Sequence, residues 1–177
     1  MNALPIRRQS ISIRRLEPRD IGSAAAIYNQ AIVSGESTYG PDVISEERLR
    51  NELFDAPPQF ESYACDGNDD GPVYGWAALA RHTHRDIYDT VAELMVFVSA
   101  EHRRRGLGRA LAEHALSRAP QLGFRVLLLI VQPEPAFLLA WAMRHDFRSA
   151  GRLSGVLPVG ERWQDILVFE RFLEGSR

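Results

Sequence analysis

Only one cysteine, Cys65, occurs in the chain, so no internal disulfide can form and a reducing, cytoplasmic setting is expected. No activating base lies near it in sequence, and Cys65 reads as a packed strand residue rather than a nucleophile. The first ten residues, MNALPIRRQS, lack an apolar core segment, and no secretory signal is expected. The longest strongly apolar run, Val126 to Val131, is far too short to span a bilayer, so no membrane partner is expected. Charge of one sign is also scarce: the net charge is -2, which argues against nucleic acid as the main partner. Internal repeats, low-complexity tracts and interdomain linkers are absent.

What is present is the composition of a soluble domain, 45% hydrophobic and 25% charged over 177 residues. A single domain is expected, residues 11–177, preceded by a loose arm over residues 1–10. Ile11, Ile13 and Leu16 start a strand. Pro18 opens a helix whose apolar face is Ile21, Ala24, Ala25, Tyr28, Ala31 and Ile32. Ser45-Glu46-Glu47-Arg48 fits part of a capping box and starts a second helix that ends before Pro57-Pro58. Phe60 to Cys65 and Pro72 to Ala80 read as strands joined by a polar loop, Asp66 to Gly71. A strand from Arg125 to Val131, a helix from Ala136 to His145, and strands near Gly151 to Leu157 and Trp163 to Phe172 follow. The fold class expected is α/β in the α+β sense. Its central sheet is mixed and largely antiparallel, flanked by helices.

The densest chemistry lies between Val91 and Leu116. An apolar strand, Val91 to Val98, carries one carboxylate, Glu93, and leads into Arg103, Arg104, Arg105, Gly106, Leu107, Gly108 and Arg109. Ala110, Leu111, His114 and Ala115 then recur at helical spacing. A helix beginning at glycine exposes backbone N–H groups at its positive end, and arginines supply counter-charge for a phosphate-bearing ligand. The turn is not a Walker A loop, since it has no lysine followed by serine or threonine. Nor is it a dinucleotide fingerprint, because Leu111 stands where the third glycine belongs. A solvated basic turn capping an ordinary helix is the alternative reading. His82 and His84 form H-x-H without a further ligand set, and no metal is expected. His102, His114 and His145 read as turn or helix-surface residues.

The pattern that does fit, R-x-x-G-x-G from Arg103 to Gly108, closely resembles the pyrophosphate loop of the GNAT acyltransferases. Three more stretches extend the likeness from about Ile11 to Leu173. They are Ile27-Tyr28-Asn29-Gln30-Ala31 with Ser37-Thr38-Tyr39, Arg85-Asp86-Ile87-Tyr88-Asp89-Thr90-Val91-Ala92-Glu93, and Gly160-Glu161-Arg162-Trp163-Gln164-Asp165. In this order they resemble the branch containing phosphinothricin and methionine sulfoximine acetyltransferases. The resemblance implies a GNAT-like domain and acetyl-CoA as co-substrate. It also implies N-acetyl transfer to a small amino-acid-like amine, and a homodimer with pockets near its interface. Glu93 matches the branch's catalytic glutamate. Its apolar neighbours would raise its pKa toward the range of a general base. The backbone of Val96, Phe97 and Val98 would pair with the pantetheine arm, one N–H polarising the thioester carbonyl. Arg103 to Arg109 would hold the pyrophosphate, mostly through backbone N–H. Arg85 and, as a second candidate, Arg81 would clamp the acceptor's carboxylate, with Tyr39 and Tyr88 as pocket walls.

One segment departs from the branch. Where similar enzymes carry Asn, Ser, His or Tyr, and Gly-Phe, this chain has Pro135, Leu138, Ala142 and Asp146-Phe147, and Gln164 replaces a histidine beside Trp163. Weaker acetyl-CoA binding or turnover is the expected cost. Acetylation of a protein or polyamine, and a non-catalytic acyl-CoA-binding module, are the alternative functions.

Overall fold

The computed structural model describes residues 12–38, 40–67 and 71–173. The expected N-terminal arm, and Ile11 and Tyr39, lie outside the described residues. Seven strands form one sheet in the order β1-β2-β3-β4-β5-β7-β6. They are β1 (Ser12–Arg15), β2 (Ser62–Asp66), β3 (Val73–Arg81), β4 (Val91–Val98), β5 (Val126–Val131), β6 (Arg148–Val159) and β7 (Arg162–Phe172). All neighbours are antiparallel except β4 and β5, which run parallel through the crossover helix α3 (Leu107–Arg118). This is the mixed sheet expected from the sequence. β6 begins at Arg148, ahead of Gly151, because pairing with β7 continues to Arg148↔Glu170 across a register shift.

The pleat assigns side chains to two cores. Ala92 and Leu94 of β4 pack with Leu107, Leu111, Ala115 and Leu116 of α3 on one face. Met95 of β4 joins Trp76 and Ala78 of β3 under helices α1 (Ile21–Val33) and α2 (Glu46–Phe54) on the other. Buried Ile21, Ala24, Ala25, Tyr28, Ala31 and Ile32 give α1 the three-four spacing of an amphipathic helix. A short 3-10 turn, Pro18–Asp20, precedes it, and the Asp20 carboxylate accepts from the Glu17 N–H at 2.8 Å. Ser45 caps α2 by accepting from the Arg48 N–H at 3.2 Å, the half of the capping box visible in the sequence.

Helix α4 (Ala136–Arg144) buries Ala142 and hands the chain to β6 through Asp146, whose φ is 61°. The left-handed region suits glycine, the residue that similar enzymes carry there. Asp146→Gly is therefore expected to stabilise the fold by about 0.5–1 kcal/mol, the strain of a side chain at that φ. Thermal unfolding would show this as a rise of roughly 2 °C.

Candidate active site

β4 and β5 are hydrogen-bonded neighbours only at their beginnings. The ladder pairs Val91↔Val126, Ala92↔Leu127 and Glu93↔Leu128 and then stops, although β4 continues to Val98 and β5 to Val131. The strands therefore part immediately after Glu93. Alternation decides which backbone groups face the opening. The Ser99 N–H donates to the Tyr74 carbonyl on β3, and the Thr90 carbonyl accepts from the Arg125 N–H beside β5. Odd positions from 93 to 99 thus turn their backbone toward β3, and Leu94, Val96 and Val98 turn theirs toward the opening. Among the three residues expected to line an acyl carrier's arm, Val96 and Val98 have the fitting orientation and Phe97 does not. The Phe97 ring instead packs 4.8 Å from both Trp76 and Tyr28.

Glu93 stands at the fork, buried, with its side chain on the α1 face that Met95 and Phe97 share. His82 Nδ1, just past the end of β3, lies 3.5 Å from Glu93 Oε2. The charge of Glu93 acts on Tyr28 of α1, and burial pushes that hydroxyl up to about 12, against the opposing effect of a hydrogen bond with Ser37. A buried carboxylate thus sits where a sheet opens, with the half-exposed His82 at its side.

At the far end of β4 the chain enters the basic turn. Arg104 (φ 60°) and Gly106 (φ 83°) are both left-handed, which swings the chain abruptly from strand to helix. Gly106 is the N-cap of α3 and offers no side-chain acceptor, so the first N–H groups of the helix face outward without a side-chain cap. Leu107 is buried and anchors the turn, and a Cβ on Gly108 would sit 3.4 Å from Val98 Cγ2. Arg104 and Arg105 are exposed, while Arg109 pairs with Glu113 at 2.7 Å along the helix. Arg103 is committed elsewhere: its guanidinium meets Glu36 at 2.8 and 2.7 Å, and its Nε donates to the Val98 carbonyl at 3.3 Å.

That ion pair is part of a strap. Gln30 accepts from the Ala100 N–H at 3.0 Å, Gln132 donates to the Gly35 carbonyl at 2.7 Å, and Thr38 donates to the Ile130 carbonyl at 3.4 Å. The segment following α1 is thereby tied to both lips of the opening, one on β4 and one on β5. Glu36 and Gln132 carry no periodicity or motif that marks them in the sequence. Gln30 stood inside a recognised stretch, but its partner is 70 residues away.

The expected acceptor residues fall into different places. Arg81 donates to Asp86 at 2.7 Å and to Asp89 at 2.9 Å, so its charge is already matched inside the turn. Arg85 precedes the 3-10 turn Asp86–Tyr88, Tyr88 ends it, and both are exposed. Tyr39 lies outside the described residues. Cys65 is fully buried, and burial pushes its thiol up to about 11, which suits packing and not attack. His102 ends the 3-10 turn Ala100–His102 and stacks on Tyr74 at 3.9 Å, and His114, half-buried on α3, meets the Tyr63 ring edge-on at 4.6 Å. No group of His, Cys, Asp and Glu among the described residues could hold a metal ion.

A sheet that opens between two parallel strands, with an uncapped helix start at one end and a buried carboxylate at the other, combines a place suited to phosphate with a group able to take a proton. The chain belongs to the acetyltransferase (GNAT) family, whose model matches residues 26–147. It is 25% identical over 170 residues to the L-methionine sulfoximine/L-methionine sulfone acetyltransferase of Pseudomonas paraeruginosa, covering 95% of this chain and 98% of that one. It is 24% identical to the phosphinothricin N-acetyltransferase of Streptomyces viridochromogenes, over 94% of this chain and 90% of that protein. Among solved structures, a phosphinothricin acetyltransferase from Sinorhizobium meliloti in complex with acetyl-CoA matches with a TM-score of 0.81 at 23% identity, covering 93% of this chain and 89% of that one. The protein is an N-acetyltransferase.

Proposed function

We propose that the protein moves the acetyl group of acetyl-CoA to the primary amine of a small amino-acid-like acceptor, with Glu93 as general base. The observation that carries this is Glu93 itself, a buried carboxylate on the last residue of the β4–β5 ladder. From Glu93 to Val98, β4 offers about 17 Å of strand edge at roughly 3.3 Å per residue. An extended pantetheine arm would lie along it, bonded to the Val96 and Val98 backbone as an added strand. The pyrophosphate would then meet the N–H groups of Leu107, Gly108 and Arg109, with Arg104 and Arg105 free to supply counter-charge.

The reaction follows from that placement. Glu93 takes a proton from the acceptor's ammonium, directly or through water, and the amine lone pair attacks the thioester carbon. A strand N–H from β4 stabilises the oxyanion. The C–S bond breaks, the amide forms, and the second amine proton ends on the departing thiolate. α4 carries no hydroxyl or imidazole side chain, so water is the donor to sulfur in this reading. Arg85 is the acceptor clamp this reading favours, because Arg81 is already neutralised by two aspartates.

A homodimer belongs to the same reading. Leu153, Val156, Trp163 and Phe172 are large, apolar and exposed, and all lie on the β6–β7 hairpin at the edge of the sheet. Sedimentation at micromolar concentration is expected to give twice the chain mass; a monomer would remove the dimer from the proposal without touching the chemistry.

The test of function is thiol release from acetyl-CoA with methionine sulfone, methionine sulfoximine, phosphinothricin, common amino acids, spermidine and a lysine peptide. All 21 basic residues of the chain are arginine, so acetylation of its own lysines cannot contribute to the signal. Turnover on an amino-acid-like acceptor is expected. Turnover confined to spermidine or the peptide would transfer the proposal to those acceptors. Tight acetyl-CoA binding with silence across the panel would make the protein a binding module, the reading that the apolar α4 favours.

A further inference from the structure

Each turnover leaves a proton on a carboxylate that is only 8% exposed at its side chain, while His82, in contact with it, is 41% exposed. A buried base must be emptied before it can act again, and the neighbours of Glu93 differ in their ability to do this. Tyr28 of α1, on which the Glu93 charge acts, holds its own proton to about 12 and cannot take another near neutral pH. Arg48 and Glu52 from α2 act on the Tyr28 hydroxyl electrostatically. The ladder neighbour on β5, Leu128, is apolar. In the turn beyond β3, the Arg81 guanidinium is occupied by Asp86 and Asp89, and His84 and Arg85 are exposed. His82 stands one pleat beyond Ala80, the residue registered opposite Glu93, and joins the buried carboxylate to solvent. Its position is diagonal to Glu93 on the same face of the sheet.

We propose that His82 is the positioning and proton-accepting partner of Glu93, passing to water the proton that Glu93 removes from the acceptor's ammonium. The proposal rests on the general-base role assigned to Glu93 above. The balance is simple. The ammonium N–H breaks and a carboxyl O–H forms; that O–H breaks as Nδ1 of neutral His82 gains the proton; the imidazolium then releases one proton to solvent. Over the cycle, ammonium and acetyl-CoA become amide, free thiol and one proton, with no other co-reactant. Imidazole is suited to the task because histidine changes charge between pH 5 and 8. The 3.5 Å separation puts Nδ1 within a small side-chain adjustment of a hydrogen bond to the carboxylate.

The experiment compares wild type, His82→Asn, His82→Gln and Glu93→Gln on the fastest acceptor of the amine panel, in a non-titrating buffer and again with added imidazole. In the two His82 variants kcat is expected to fall roughly tenfold, less than on direct loss of a general base, with KM for acetyl-CoA unchanged. Added imidazole is expected to restore the rate in a concentration-dependent way. A structural role would not respond to imidazole, so a loss without rescue overturns the proposal. Full activity of both His82 variants beside a slow Glu93→Gln also overturns it, leaving the role of Glu93 intact. Full activity of Glu93→Gln, or silence of the wild type across the panel, removes the general-base reading and this proposal with it.

Discussion

Glu93→Gln is expected to lower kcat by about 10²–10⁴-fold, the range for loss of a positioned general base. The dissociation constant for acetyl-CoA is expected to stay within about twofold, because the exchange removes one charge and preserves shape. Glutamine keeps the volume of a side chain buried on β4, so the fork between the strands persists. The groups proposed to hold the co-substrate lie elsewhere, at the Val96 and Val98 backbone and at the start of α3. Steady-state kinetics with a separate calorimetric titration checks the split. Equal losses in turnover and in acetyl-CoA affinity would make Glu93 a structural residue of the strand junction.

Trp76→Ala is expected to cost roughly 3–5 kcal/mol, the range for truncating a fully buried large aromatic residue. That is a large part of the 5–15 kcal/mol by which domains are typically stable. Trp76 is 0% exposed, its Nε1 donates to the Ala24 carbonyl at 3.1 Å, and its ring lies 4.8 Å from Phe97 and 6.3 Å from Tyr28. It joins β3 to α1 and to the face of β4 that carries Glu93, so the substitution should also loosen the site. The control is Val33→Ala, at a position 80% exposed, where a change within about 0.5 kcal/mol is expected. Urea unfolding measures both. A Trp76 cost below about 1 kcal/mol would mean that this ring does not hold α1 to the sheet.

The residues differ in how much of this could be read in advance. The β4–turn–α3 unit was legible because its signals are local: an apolar run, a basic turn with two glycines, then helical spacing at Leu107, Leu111 and Ala115. Glu93 stood out as the one carboxylate in that run. The parting of β4 and β5 was not legible, since Val91 to Val98 and Val126 to Val131 read simply as two apolar strands. Where a ladder ends is set by the whole sheet and by the strap after α1. Arg81 illustrates the same limit: a guanidinium near the site looks like a substrate clamp until Asp86 and Asp89 are seen to hold it. Arg103 is similar, paired with a glutamate 67 residues earlier. His82 carried only a discounted metal signal, because its partner comes from the next strand. Asp146 is the opposite case. Its place where similar enzymes have glycine was visible, and its positive φ gives that departure a physical meaning.

Backbone amide hydrogen exchange, measured with and without acetyl-CoA, tests the central claim most directly. If the co-substrate occupies the opening between β4 and β5, the Val96 and Val98 N–H groups gain protection together with those of Leu107, Gly108 and Arg109. Phe97, already turned toward β3, changes little. Protection confined to other segments, or none at Val96 and Val98 while acetyl transfer proceeds, would contradict binding in the β4–β5 opening.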